Sequence, residues 1–283
     1  MTVPKISASS YSNTAPLIWS FLYGSYHGKV EITLDNAPAR SAELLSKKRV
    51  DAALVPVISY QLLDGLRLVP GVCVGAREKV RSVCLITHGK DLSEARSVSL
   101  DISSKTSVYL TKIIFREFLG VEPVWKDSPP DLDAMLAESD CALLIGDPAL
   151  SIAQTQVRNA SVDERVSTDG SGSTSYRIFD LAELWKNFTG FGFVFAMWMT
   201  RKTNCDIDFA AARDEGISHL DEIVANYQSE IGLNQNDMLS YLSENISYSI
   251  DDSMQKGLEL YFELARKAGL IEADKPLVFA RDN

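Results

Sequence analysis

The feature that most constrains this chain is a pair of matched junctions. Ser7-Ala8-Ser9-Ser10-Tyr11-Ser12-Asn13-Thr14-Ala15-Pro16-Leu17 and Ser99-Leu100-Asp101-Ile102-Ser103-Ser104-Lys105-Thr106-Ser107-Val108 each run from a short β-like segment through a hydroxyl-rich turn into a helical pattern. Such a turn aims free backbone N–H groups and hydroxyls at an anion, and the positive end of the following helix adds to the attraction. Taken singly, either junction reads as an ordinary N-cap. Taken together, they suggest a pocket for a small molecule carrying two carboxylates.

A second repetition supports the first. Residues 44–56 and 135–147 share one form: an amphipathic helix end, an acidic turn, then an apolar strand closed by Pro56 or by Gly146-Asp147. The halves therefore read as two α/β lobes of similar plan, with strands too apolar to be exposed on either face. In open α/β sheets ligands bind beyond the carboxyl ends of the strands, so Pro56, Gly146 and Asp147 are expected to border the same cleft as the two junctions.

The pattern predicts strands near Lys5–Ser9, Val30–Leu34, Asp51–Val55, Val72–Val74 and Val80–Thr87, with helices over Thr14–Leu22 and from Ala39 to Lys48, the latter opened by Pro38. A second set follows: a strand at Val98–Asp101, a helix Thr106–Leu119 ended by Gly120, a helix near Leu132–Ala137, a strand Ala142–Ile145, a polar loop Ser161–Ser175, and a helix Leu181–Phe188 stopped by Gly190. Phe193–Thr200 is β-favouring, and Ile217–Ile231, Gln235–Ser243 and Asp251–Ala268 are candidate helices. Lobe I is expected to comprise residues 1–87 plus 200–283 and lobe II residues 88–199, with crossings near Thr87–Ser97 and Phe193–Thr200.

Composition limits the partners. A chain of 283 residues that is 46% hydrophobic can bury a substantial core and make two lobes. Its formal charge of −10 argues against nucleic acid, which needs a basic surface. No apolar run is long enough for a secretory signal or a membrane span, so the expected location is cytoplasmic, with no membrane partner. Cys73, Cys84, Cys141 and Cys205 have no C-x-x-C pairing and read as free thiols, not as a disulfide or zinc site.

In order along the chain, Ser10–Leu17, Val80–Val83, Asp101–Ser107, Leu143–Leu150 and Thr189–Trp198 resemble the successive signatures of the chorismate dehydratase family. Two positions depart from that pattern: Ser12 stands for a usual Leu and Lys105 for an Arg. An ammonium cannot replace a guanidinium fork if that Arg is bidentate. The resemblance implies a type II periplasmic-binding-protein-like fold with a ligand cleft between the lobes. It also implies a cofactor-free hydro-lyase that opens the futalosine route to menaquinone. In that reaction chorismate loses its ring hydroxyl as water, together with the hydrogen on the carbon bearing the enolpyruvyl ether, and becomes 3-[(1-carboxyvinyl)oxy]benzoate. Chorismate is a dicarboxylate, so it also suits the two-junction pocket read from the residues.

Residue roles follow from that picture. Asn13, the catalytic candidate, could fix the departing hydroxyl or a carboxylate, or it could simply cap the first helix. Substrate-binding candidates are Ser10 and Ser82 on the first half, and Ser103, Ser104, Thr106 and Ser107 at the second junction. Gly146 and Asp147 complete the set. A carboxylate beside an anion is awkward, so Asp147 is expected to orient neighbouring donors or to cap the helix before Pro148. Arg81 reads as an interlobe or surface charge.

No general base is evident. His27, His88 and His219 lie outside the matched motifs, and the chain has no nucleophile elbow, metal-spaced cluster or glycine-rich phosphate loop. One of the substrate's own carboxylates is therefore expected to take the proton. A small-anion solute-binding protein and the sister enzyme dihydroxynaphthoate synthase share the architecture; the Ser-Tyr-x-Asn-Thr start favours the chorismate enzyme. No helix-turn-helix module points to a transcription factor.

Overall fold

The computed structural model describes residues 3–152 and 176–282, so the polar loop expected at Ser161–Ser175 lies outside the described residues. Two five-stranded mixed sheets carry the chain. The first contains β1 (Lys5–Ser9), β2 (Glu31–Asp35), β3 (Ala52–Pro56), β4 (Arg67–Ala76) and β10 (Phe193–Thr200), in the order β2-β1-β3-β10-β4. The second contains β5 (Val83–Thr87), β6 (Ser97–Asp101), β7 (Val124–Ser128), β8 (Cys141–Ile145) and β9 (Arg177–Asp180), in the order β7-β6-β8-β5-β9. The plans match strand for strand. Each sheet has three parallel strands, β2-β1-β3 or β7-β6-β8, beside an antiparallel strand that enters directly from the other half, β10 or β5.

This exchange moves the expected lobe boundaries. β5 pairs with β8 and β9, not with the first sheet, so the chain crosses at 77–82, earlier than Thr87–Ser97. Phe193–Thr200 lies wholly in the first sheet against β3 and β4, which puts the return at 190–192. All five residues of β5 are buried. A strand apolar on both faces fits the middle of either sheet, and hydrophobicity alone does not choose between them.

Side-chain alternation divides the second sheet's core. Leu85, Val98, Leu100 and Leu143 join the main core, while Cys84, Ile86, Ala142 and Leu144 point the other way into a smaller one under Met135 and Leu136. β7 and β9 were not expected from the sequence because both are half-exposed edge strands with polar residues. The stretch Ile217–Ile231 breaks at His219 into helices Phe209–Ser218 and Leu220–Ile231. Cys73, Cys84 and Cys141 are buried free thiols, and burial pushes Cys73 up to about 12.

On the side of the crossings the halves are braced by an aromatic cluster. Tyr261, on the C-terminal helix Asp252–Lys267, meets Trp185 and Phe193 edge-on and donates its hydroxyl to the Thr106 carbonyl at 3.1 Å. Gly257 of the same helix lies against the return crossing. A Cβ there would fall 2.1 Å from the Gly192 carbonyl oxygen, a backbone atom that cannot move aside alone. Gly257→Ala is therefore expected to cost ~1–3 kcal/mol by overpacking. In urea titration the midpoint should fall at unchanged slope; an unchanged midpoint would mean that the helix and crossing are not locked together.

Candidate functional site

The carboxyl ends of β1, β3, β6 and β8 converge on a cleft. Asn13, Thr14 and Pro56 line it from the first half; Ser104, Ser107 and Gly146 line it from the second. Leu54, Val74, Val83, Ile145 and Phe195 add apolar walls, and among the described residues no lining side chain is Asp, Glu, His, Lys or Arg. A bound anion would thus be held by N–H groups, hydroxyls and helix starts, without a counter-charge.

At the first junction Thr14 closes the turn: its hydroxyl donates to the carbonyls of Ser9 at 2.7 Å and Tyr11 at 2.8 Å. No side chain caps either the turn Ser12–Thr14 or the helix Ala15–Leu22 that follows it. Asn13 is therefore not an N-cap, and it borders the cleft. At the second junction Asp101 is the anchor. Its carboxylate accepts from the Ser103 hydroxyl, from Ser103 N–H at 3.0 Å and from Ile145 N–H at 3.3 Å. Burial raises the Asp101 pKa against these hydrogen bonds. Ser104 caps the helix Lys105–Ile113 by accepting from Ser107 N–H at 3.5 Å.

The two turns meet directly. Ser12 donates to Asp147 through its N–H at 3.2 Å and its hydroxyl at 2.5 Å. The Tyr11 ring covers Gly146, whose φ is +67°; a Cβ there would lie 2.9 Å from the ring. Burial pushes the Asp147 carboxyl up, and the Ser12 bonds pull it back in part.

A third turn is built at the first crossing. Arg81 has φ +60°, and Ser82 N–H donates to the Val80 carbonyl at 2.7 Å, a three-residue turn that a non-glycine residue adopts only when its surroundings hold it. Asp180 holds it. Its buried carboxylate accepts from Val80 N–H at 3.0 Å and Arg81 N–H at 2.6 Å, while also capping the helix Leu181–Thr189 through Ala182 and Glu183. The Ser82 carbonyl then accepts from Gly146 N–H at 2.7 Å, tying the crossing to the second junction's strand.

Four of the expected site residues, Asn13, Ser104, Ser107 and Gly146, come together on the cleft. The others are engaged elsewhere. Ser10 donates to the Asp35 carbonyl and to Asn36 and faces an outer groove beside Trp19 and Tyr227. Ser103 is turned to Asp101, and Thr106 accepts from Ile58 N–H at 3.2 Å across the halves. Asp147 faces Ser12 and the same outer groove. Ser82 is fully buried behind the lining. Hydroxyl-rich turns offer more donors than a cleft can use, and sequence does not say which of them stitch the turn itself. Tyr11, Pro38 and Phe195 also line the cleft. Tyr11 stood within the matched motif, whereas Pro38 was read only as a helix opener. His219 is structural: it stacks on Trp19 at 3.7 Å and its Nδ1 meets the Glu215 carbonyl. Among the described residues no group of His, Cys, Asp or Glu is arranged to hold a metal ion, and no helix is long and apolar enough to cross a membrane.

The raised carboxyl of Asp147 sets a pH dependence. Because the folded pKa lies above the unfolded one, the stability linked to this group is full below the unfolded pKa and is lost as pH rises through the folded value. Asp147→Asn keeps an acceptor for Ser12 and carries no charge. Its denaturant midpoint should exceed that of the wild type at pH 7, with the difference shrinking below about pH 4. A difference independent of pH would show that ionisation of Asp147 carries no stability cost.

Residues 4–267 match the sequence family described as menaquinone biosynthesis. A chorismate dehydratase from Thermus thermophilus is 29% identical over 262 residues, covering 89% of this chain and 92% of that protein. A solved protein of Archaeoglobus fulgidus matches with a TM-score of 0.67 at 16% identity, covering 95% of this chain and 98% of the other. The periplasmic aliphatic sulphonate binding protein SsuA of Escherichia coli matches at 0.61 and 14% identity, covering 99% and 94%. At such identities the structural likeness speaks for the fold, a two-lobed α/β architecture of the type II periplasmic-binding-protein kind. With the family pattern running over nearly its whole length, the chain belongs to the menaquinone-biosynthesis family.

Proposed function

We propose that this protein eliminates water from chorismate to give 3-[(1-carboxyvinyl)oxy]benzoate. The observation that carries this reading is Asn13, which caps no helix and borders a cleft with a hydroxyl-rich helix start on either side. The 29% identical chorismate dehydratase supports the choice of substrate. One carboxylate would rest on the turn before Ala15–Leu22 and the other on the turn before Lys105–Ile113, with the ring between them against Phe195 and Ile145.

The chemistry asks for a proton acceptor and a departing hydroxyl. The hydrogen on the ether-bearing ring carbon leaves as a proton, its bonding electrons become the last double bond of an aromatic ring, and the neighbouring C–OH bond breaks to release water. With no carboxylate, imidazole or amine among the described lining residues, and with burial raising the pKa of the Tyr11 phenol, the substrate's enolpyruvyl carboxylate takes the proton. The Asn13 amide donates to the leaving hydroxyl or to the carboxylate that accepts. The protein's part is to fix one conformer in a cavity screened from water, which is where most of such a rate gain arises.

Purified protein in metal-free, nucleotide-free buffer should convert chorismate to an aromatic acid. Asn13→Ala should lose ~100-fold in turnover while keeping its thermal stability, because Asn13 caps nothing. Intact chorismate recovered after long incubation with folded protein would favour a solute-binding role instead. A chorismate analogue amidated at the enolpyruvyl group separates binding from chemistry. At saturation, judged by ligand-induced thermal stabilisation, single-turnover elimination should be absent. Elimination from it at the normal rate would exclude that carboxylate as the base.

A further inference from the structure

Tyr241 lies where the helix Gln235–Ser240 widens into the turn Tyr241–Asn245, closed by Ile246 N–H donating to the Tyr241 carbonyl at 3.2 Å. A wider turn of this kind re-aims side chains and recurs at functional sites. The Tyr241 side chain is fully buried, yet its hydroxyl has no hydrogen bond of ordinary geometry among the described residues. Leaving a buried hydroxyl unsatisfied is costly, and phenylalanine would fill the same space without that cost.

What the hydroxyl faces gives it a use. Its neighbours are the Ser82 hydroxyl and the Asn13 amide, each close enough to favour the ionised oxygen, although burial and the Asp147 charge push the phenol well above its ordinary pKa. The Arg81 guanidinium sits 5.9 Å from the ring centroid and steadies the ring from the strained crossing turn. Asn13 belongs to the first junction, Ser82 to the crossing and Tyr241 to the C-terminal helices. Three distant segments thus bring their polar ends to one buried point directly behind the cleft.

Resting on the dehydratase reading, we propose that Tyr241 is a positioning residue whose hydroxyl sets the orientation of the Asn13 amide and the Ser82 hydroxyl toward the substrate. Tyr241 itself does not line the cleft and acts through Asn13. An orphan hydroxyl of this kind can pair fully once a ligand draws the Asn13 amide into its working orientation.

The test is Tyr241→Phe in the full chain, alone and combined with Asn13→Ala. With chorismate, Tyr241→Phe should lower kcat at least ~10-fold with KM within about twofold, since a displaced amide costs rate more than binding. Thermal stability should be equal or higher, because the ring stays and the unsatisfied hydroxyl goes. In the Asn13→Ala background the same substitution should change kcat by less than about twofold, as expected for two groups acting through one contact. Unchanged kcat in an active protein, or a full additional loss in the double variant, would overturn the role of Tyr241 alone. Loss of cooperative unfolding in Tyr241→Phe would also overturn it, by placing the hydroxyl in the fold. A wild type inert toward chorismate would remove the dehydratase reading and this inference together.

Discussion

The site depends on one contact, where the turn Tyr11-Ser12 of the first half meets Gly146-Asp147 of the second. The Tyr11 ring needs a residue without a side chain beneath it, and the Ser12 donors need a hydrogen-bond acceptor beside it. Sequence places Gly and Asp together at the end of β8 for both purposes. Far from this contact, Tyr261, Trp185 and Phe193 hold the halves together around the return crossing. The cleft is the space left between a rigid apolar brace and a small polar clasp.

The three buried or half-buried carboxylates around the cleft share one kind of work. Asp101, Asp147 and Asp180 each accept backbone N–H groups from turns that border the site, and burial raises the pKa of each. Such groups are strong acceptors in a low-dielectric setting and would be costly if left unpaired. Because they are engaged in shaping turns, the lining itself stays neutral. On the proposed reading, a dicarboxylate would meet oriented N–H groups and hydroxyls without facing a carboxylate from the described lining.

Much of this was legible in the chain. The matched junctions fix two helix starts, and the apolar strands fix two sheets, since period and capping chemistry are local properties. β5 was assigned to the wrong sheet because its pairing with β8 and β9 is non-local, and an all-buried strand carries no mark of its partner. Within the junctions, residue type identified hydrogen-bonding groups but not their direction. Thr106 and Ser103 look like Ser104 and Ser107 in sequence, yet the first two turn to Ile58 and Asp101 while the latter pair, bonded to each other, line the cleft. Tyr241 gave no signal at all, because its role exists only where residues 13, 82 and 241 come together.

The measurement that bears most directly on the site is a crystal structure with the unreactive product, 3-[(1-carboxyvinyl)oxy]benzoate, bound. If the two junctions are the ends of one dicarboxylate site, one carboxylate will lie beside Asn13, since Ser12 N–H is held by Asp147 and Thr14 N–H by the Tyr11 carbonyl, and the other on the turn at 104–107. Product found only in the outer groove between Trp19 and Tyr227, or with both carboxylates on one half, would contradict it.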